Sequence, residues 1–195
     1  MRNIRPDDEV LREFDRRSFL KLGLAGTMAL STVSLTAGLA GCHRAEEASA
    51  AGYGVLRDAD LALFRALIPV VLAGALPQEI QMRDAQIAET LQRIDSGLQA
   101  VGSPTLKELR KLFDLLNFGI TRRLAAGVPV PWAEASAEQI EAFLQRWHDS
   151  SLGAFNAGYR VLTKLVTVTY HQIPATWPQS GYPGPLAWVY QAVNR

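Results

Sequence analysis

A single cysteine, at position 42, stands in 195 residues. One thiol excludes an intrachain disulfide, and once Cys42 is committed to a lipid, as read below, none is left for a Cys-ligated zinc, an iron–sulfur cluster or covalent c-type haem. Histidine is nearly as scarce. The three, His43, His148 and His171, show no helical ligand spacing and no carboxylate–His motif for zinc. His148 reads as a helix-terminal residue, and His171 as structural or interfacial. Neither Gly-x-Gly-x-x-Gly nor a P-loop occurs, so no nucleotide motif is present. Ser150-Ser151 lacks a nucleophile-elbow context. The carboxylates are scattered, and none pairs with another as acid and base. Excess charge is missing too. The formal net charge is +1, and nothing in it favours nucleic acid. No internal repeat is visible.

What is present begins with the leader. Arg16-Arg17-Ser18-Phe19-Leu20-Lys21 follows the twin-arginine export pattern, carried by Arg16, Arg17, Phe19, Leu20 and Lys21. A charged segment precedes it and an apolar run, Leu22–Gly41, follows, the order of an export signal. The run is long enough to span a bilayer. Four glycines (Gly23, Gly26, Gly38, Gly41) and five Ser/Thr residues interrupt it, which favours cleavage over a retained anchor. It ends in Leu39-Ala40-Gly41-Cys42, which resembles a bacterial lipoprotein box. The bland alternative is a signal-peptidase site with a chance cysteine nearby. The only cysteine sits where the box requires one, so Cys42 is expected to be lipidated and to tie the chain to a membrane. His43 gives no inner-membrane retention signal.

The expected organisation is residues 1–41 as signal peptide, 42–56 as flexible tether and 57–195 as one helical domain. The leader holds six Lys/Arg and five Asp/Glu, leaving fourteen of each beyond it. The remaining 154 residues suffice for a core stabilised by packing alone. Asp58 or Asp60 can cap a helix carrying Leu61, Phe64, Leu67, Ile68, Val71 and Leu72, which Pro69 should kink or end. Residues 84–101 place Ile87, Leu91, Ile94, Leu98 and Val101 on one helical face. After Gly102-Ser103-Pro104, residues 105–125 repeat the pattern with Leu109, Leu112, Phe113, Leu116, Ile120 and Leu124. Residues 127–131 read as an extended connector. Ser136 to Gln139 resembles a capping box before Ile140, Phe143, Leu144 and Trp147. Val161–Tyr170 fits either a strand or a helix. No second strand candidate exists to pair with it, so it is assigned to a helix. The fold expected is all-α, about five helices with an irregular Pro/aromatic C-terminal tail.

That tail, "TYHQIPATWPQSGYPGPLAWVYQ", is the distinctive part. Its prolines hold it outside regular structure, and Gly181 and Gly184 permit tight turns. Tyr170, Trp177, Tyr182, Trp188 and Tyr190 either pack the tail onto the chain's own helices or present a docking patch. Sequence alone leaves the two readings open.

The tail carries a resemblance. Tyr170-His171, Pro174, Trp177 and Gly181-Tyr182-Pro183-Gly184-Pro185 look like the C-terminal motif of the gluconate 2-dehydrogenase subunit 3 family. These are small subunits of membrane-associated bacterial flavin dehydrogenases. Leu63–Pro77, with its Ile-Pro pair, resembles the family's first helix. Gln145-Arg146-Trp147 with Asp149-Ser150 resembles a later segment. The resemblance spans most of residues 57–186. It implies a non-catalytic escort with no cofactor of its own. FAD and the catalytic residues would belong to a GMC-type large subunit, which the small subunit helps to fold and carries through the twin-arginine translocase. A c-type cytochrome subunit often takes the electrons onward. Tyr170, Pro174, Trp177, Gly181, Tyr182, Pro183, Gly184 and Pro185 are then the expected partner-binding residues. The alternative is a free-standing helical periplasmic lipoprotein with a structural or ligand-binding role.

Overall fold

Apolar residues recurring every three or four positions build seven helices in the computed structural model, which describes residues 48–184. The export residues Arg16, Arg17, Phe19, Leu20 and Lys21, the lipidation residue Cys42 and the tail residue Pro185 lie outside the described residues. In chain order the helices are α1 (Asp58–Val71), α2 (Ile80–Ala100), α3 (Ser103–Asn117), α4 (Gly119–Thr121), α5 (Ala137–His148), α6 (Gly153–Tyr170) and α7 (Trp177–Ser180). A π-helical turn (Arg122–Ala126) extends α4, and 3-10 turns precede α5 (Trp132–Glu134) and α7 (Pro174–Thr176). Among the described residues there is no strand, and the all-α expectation is met. No helix among them is long and apolar enough to cross a membrane.

The five long helices surround one core. From α1 it takes Leu61, Leu63, Phe64, Leu67 and Ile68, and from α2 Leu91, Ile94 and Leu98. Phe113 and Leu116 of α3, Ile140, Phe143 and Trp147 of α5, and Leu162, Val166 and Tyr170 of α6 complete it. Phe64 meets Phe113 edge to face at 5.4 Å. Pro69 lies inside α1, which ends two residues later at Val71. The ring removes one intrahelical hydrogen bond, and only two further residues follow before the helix ends. The Ser136 capping box is formed. Its hydroxyl accepts from the Gln139 N–H at 3.3 Å, and the Gln139 amide oxygen accepts from the Ser136 N–H at 3.0 Å.

Two expectations are corrected here. The tether was expected to stay outside the fold up to residue 56. Instead Ala50, Val55 and Leu56 are buried. The carboxylate of Asp95 on α2 accepts from the backbone N–H of Gly54 (2.8 Å), Val55 (2.9 Å) and Leu56 (2.8 Å). Gln99 donates to it as well, at 2.7 Å. Burial pushes the Asp95 carboxyl up, but these four donors outweigh it and hold its pKa below the usual value.

The second correction concerns residues 105–125. The chain leaves the helix at Phe118, where ψ is 122°, and Gly119 restarts it. The break rotates the following turn, so Ile120 and Leu124 face out while Ala126 and Val128 are buried. Two indoles take up carbonyls exposed by the break. Trp132 Nε1 donates to Leu116 O at 3.0 Å and Trp147 Nε1 to Ala125 O at 2.9 Å. Thr121 Oγ1 donates to the Phe118 and Leu115 carbonyls.

Candidate functional site

The tail begins at the last residue of α6. Tyr170 is fully enclosed. Its hydroxyl donates to Ala75 O at 2.7 Å, and Gln86 Oε1 lies 3.0 Å away. Burial pushes its pKa above the ordinary phenol value. Tyr170 therefore offers no surface for docking in the folded domain, a correction to its place among the expected binding residues. It is the post on which the tail is hung.

Beyond it Ile173 and Thr176 turn inward and are buried. Thr176 Oγ1 donates to Ile173 O at 2.8 Å, which closes the 3-10 turn. Trp177, half-buried, returns its indole N–H to His171 O at 2.9 Å. Gly181 then takes φ +71°, a left-handed conformation that L side chains rarely adopt. This reverses the chain and lets the Tyr182 N–H donate to Trp177 O at 3.1 Å. The two rings meet edge to face, 5.3 Å apart at 72°. Gly184 lies buried against the Trp177 ring.

The result is a fixed aromatic corner. Pro174, Trp177, Pro178, Gly181, Tyr182 and Pro183 line a shallow recess of about 380 Å³. Tyr182 remains 47% exposed at its rim. The structure thus brings Pro174, Trp177, Gly181, Tyr182, Pro183 and Gly184 together and leaves Tyr170 behind in the core. The surface is apolar, with the Tyr182 hydroxyl as its polar handle, a chemistry suited to docking a protein.

Two further hollows lie nearby. One, about 650 Å³, is lined by Ala73–Gln78, the base of Tyr170, His171, Thr176, Gln179 and Ser180. The other, about 500 Å³, runs between the end of α1 and the facing sides of α5 and α6. Pro69, Val70, Leu144 and Tyr159 give it apolar walls, and Glu141, Gln145, Thr163 and Thr167 its polar groups. Thr163 and Thr167 spend their hydroxyl protons on their own helix, donating to Tyr159 O (2.8 Å) and Thr163 O (2.9 Å). His148 stands at the end of α5, as expected, with Nδ1 2.7 Å from Asp149 Oδ1. Among the described residues no group of three or more His, Cys, Asp and Glu side chains is gathered as a metal site.

Sequence reasoning missed a buried polar network at the start of α1. Arg57 forks onto Asp60 (Nε–Oδ2 2.8 Å, Nη2–Oδ1 3.0 Å) and reaches Asp114 Oδ1 with Nη1 at 2.7 Å. Asn117 Nδ2 donates to Asp60 Oδ1 at 2.7 Å. The hydrogen bonds that the guanidinium donates to Asp60 chiefly hold it in its charged form. From sequence, Asp60 is taken only as a possible helix cap and Arg57 is given no role; their spacing of three is the one local signal. No family model, curated protein or solved structure matches this chain.

Proposed function

We propose that the chain is the non-catalytic small subunit of a periplasmic, membrane-associated FAD-dependent dehydrogenase of sugars, polyols or sugar acids. It supports folding of a GMC-type flavoprotein and its export through the twin-arginine pathway. The reading rests on the tail resemblance and on one observation above the others, the half-exposed Tyr182 braced against Trp177. A preformed aromatic corner binds with little ordering cost, because its backbone is fixed beforehand. In this reading the corner grips the folded flavoprotein, and Arg16-Arg17 supplies the export address that the partner lacks. Lipidated Cys42 then holds the complex at a membrane.

The test is co-purification from membranes of the native host. A flavin spectrum should travel with the chain, and deleting the chain should leave the flavoprotein cytoplasmic or degraded. Normal periplasmic dehydrogenase activity in the deletion strain refutes the proposal. A second reading, a free-standing lipoprotein that binds a small apolar ligand, draws on the 500 Å³ groove between α1, α5 and α6. It requires a monomer that purifies without flavin.

A further inference from the structure

Three of the eight large apolar side chains exposed among the described residues fall within seven consecutive positions. Phe118 is 52%, Ile120 63% and Leu124 78% exposed. Ile120 and Leu124 are four apart on the α4 and π-helical turns, so they lie on one face. Arg123 is exposed beside them, and the half-buried Arg122 reaches over the Trp132 ring, 6.0 Å from its centroid. No carboxylate occurs between Asp114 and Glu134. Asp114 is itself paired with Arg57 at 2.7 Å. The segment therefore joins large apolar side chains to an uncompensated positive charge.

It is also held firmly. The Phe118 carbonyl is bonded by Thr121 and the Ala125 carbonyl by Trp147. Little ordering is needed before it can bind.

Its position is informative. Trp147, bonded to Ala125, packs on Gly158 and stacks on Phe155 in the first half of α6. The Trp177–Tyr182 corner hangs from the other end of α6, at Tyr170 and His171. Gly158 and Tyr170 are ~18 Å apart along that helix. The apolar segment and the aromatic corner can thus be engaged at the same time. The start of α1 lies on the side of the apolar segment. Arg57 is bound to Asp114, and Asp60 to Asn117, the residue before Phe118.

We infer that Phe118–Leu124 docks on an anionic lipid surface. Phe118, Ile120 and Leu124 enter the headgroup–acyl boundary, and the exposed Arg123 meets the lipid phosphates. The domain then rests on the bilayer with its aromatic corner directed away from it. The inference goes beyond the escort role and does not depend on Cys42.

The test uses residues 47–195, a compact unit whose core among the described residues runs from Ala50 to Ile173, without leader or cysteine. It is sedimented with vesicles of phosphatidylethanolamine and phosphatidylglycerol, and with vesicles of phosphatidylcholine. Binding to the anionic vesicles is expected, falling as salt rises. The double variant Ile120→Ser/Leu124→Ser should lose more than about tenfold of that affinity. Arg123→Gln should lose about fivefold, the factor one basic residue contributes near such a surface. All three side chains are exposed, so circular dichroism should match the wild type. No binding to anionic vesicles overturns the inference, as does binding that the double variant leaves unchanged. Self-association that the double variant abolishes, without vesicle binding, also overturns it and assigns the face to a second copy.

Discussion

Asp95 of α2 holds the backbone N–H of Leu56, 39 positions earlier in sequence, at 2.8 Å. The same carboxylate binds Gly54 and Val55. It is the buried pin that makes the segment before α1 part of the domain. Asp95→Asn keeps the shape but removes the charge and forces an amide N–H₂ towards backbone donors. The expected loss is about 1–3 kcal/mol, read from urea unfolding of residues 47–195.

The pH dependence follows from the direction of the Asp95 shift. The folded pKa lies below the ordinary value, which is about 3.9 for an unfolded aspartate. Its contribution is complete above that value. It is lost as the pH falls through the folded pKa, because protonation then costs more in the folded state. Wild-type stability should therefore drop below about pH 4, and Asp95→Asn should show a shallower drop. Equal acid sensitivity of the two proteins, measured by denaturation midpoints from pH 5 to 2, would assign that loss to other carboxylates.

Tyr170→Phe tests the post of the tail. The change leaves the ring in place and orphans Ala75 O and Gln86 Oε1. A loss of about 1–2 kcal/mol is expected. The folded pKa is raised by burial, so the hydroxyl's contribution is complete below about pH 10. It fades as pH rises through the folded value. Alkaline unfolding should begin earlier in the wild type, relative to its neutral stability, than in Tyr170→Phe. Partner affinity should change little, since Tyr170 presents no surface.

How much of this was legible follows from where the information lies. The helices over α1, α2, α5 and α6 were readable because their apolar faces repeat at 3.6 residues. The α6 assignment rested on the lack of any strand partner for Val166, Val168 and Tyr170. The exit at Phe118 was not read. Ile120 and Leu124 continue the α3 period perfectly, and only Gly119 hinted that the period would be broken. The pull that decides it comes from Trp132 and Trp147, whose indoles bond carbonyls 16 and 22 positions earlier. Such contacts leave no local pattern. Asp95 was equally silent, because a carboxylate on a helix ordinarily reads as solvent-facing. The Trp177–Tyr182 corner was legible as a motif. Its division into a buried post and an exposed rim was not.

Gly158→Ala should destabilise the domain although alanine favours a helix. A Cβ there would stand 2.4 Å from Trp147 Cζ3 and 2.9 Å from Cε3. The indole is fixed by its bond to Ala125 O and by Phe143 and Phe155 on either side. It cannot step back without loosening the π-helical turn. Overpacking costs about 1–3 kcal/mol, against about 1 kcal/mol of helix propensity gained. A lower melting temperature and altered Trp fluorescence are expected. An unchanged or raised melting temperature would mean that the indole has room to move.

The aromatic corner itself separates the escort reading from a purely intrachain role. Tyr182 is 47% exposed and its hydroxyl has no partner among the described residues, so Tyr182→Ala removes little of the core. Trp177→Ala removes a half-buried ring and its bond to His171 O, which costs more. If the corner docks the flavoprotein, Tyr182→Ala should weaken the complex about tenfold or more, the range of a central aromatic anchor. Its melting temperature should stay close to the wild type. Trp177→Ala should weaken the complex further, with a modest fall in melting temperature. The decisive quantity is the ratio of the two effects, measured by affinity capture of the flavoprotein beside thermal unfolding. If both variants lose thermal stability and keep full affinity, the corner serves only to fasten the tail to α6, and the docking surface must be sought elsewhere on the domain.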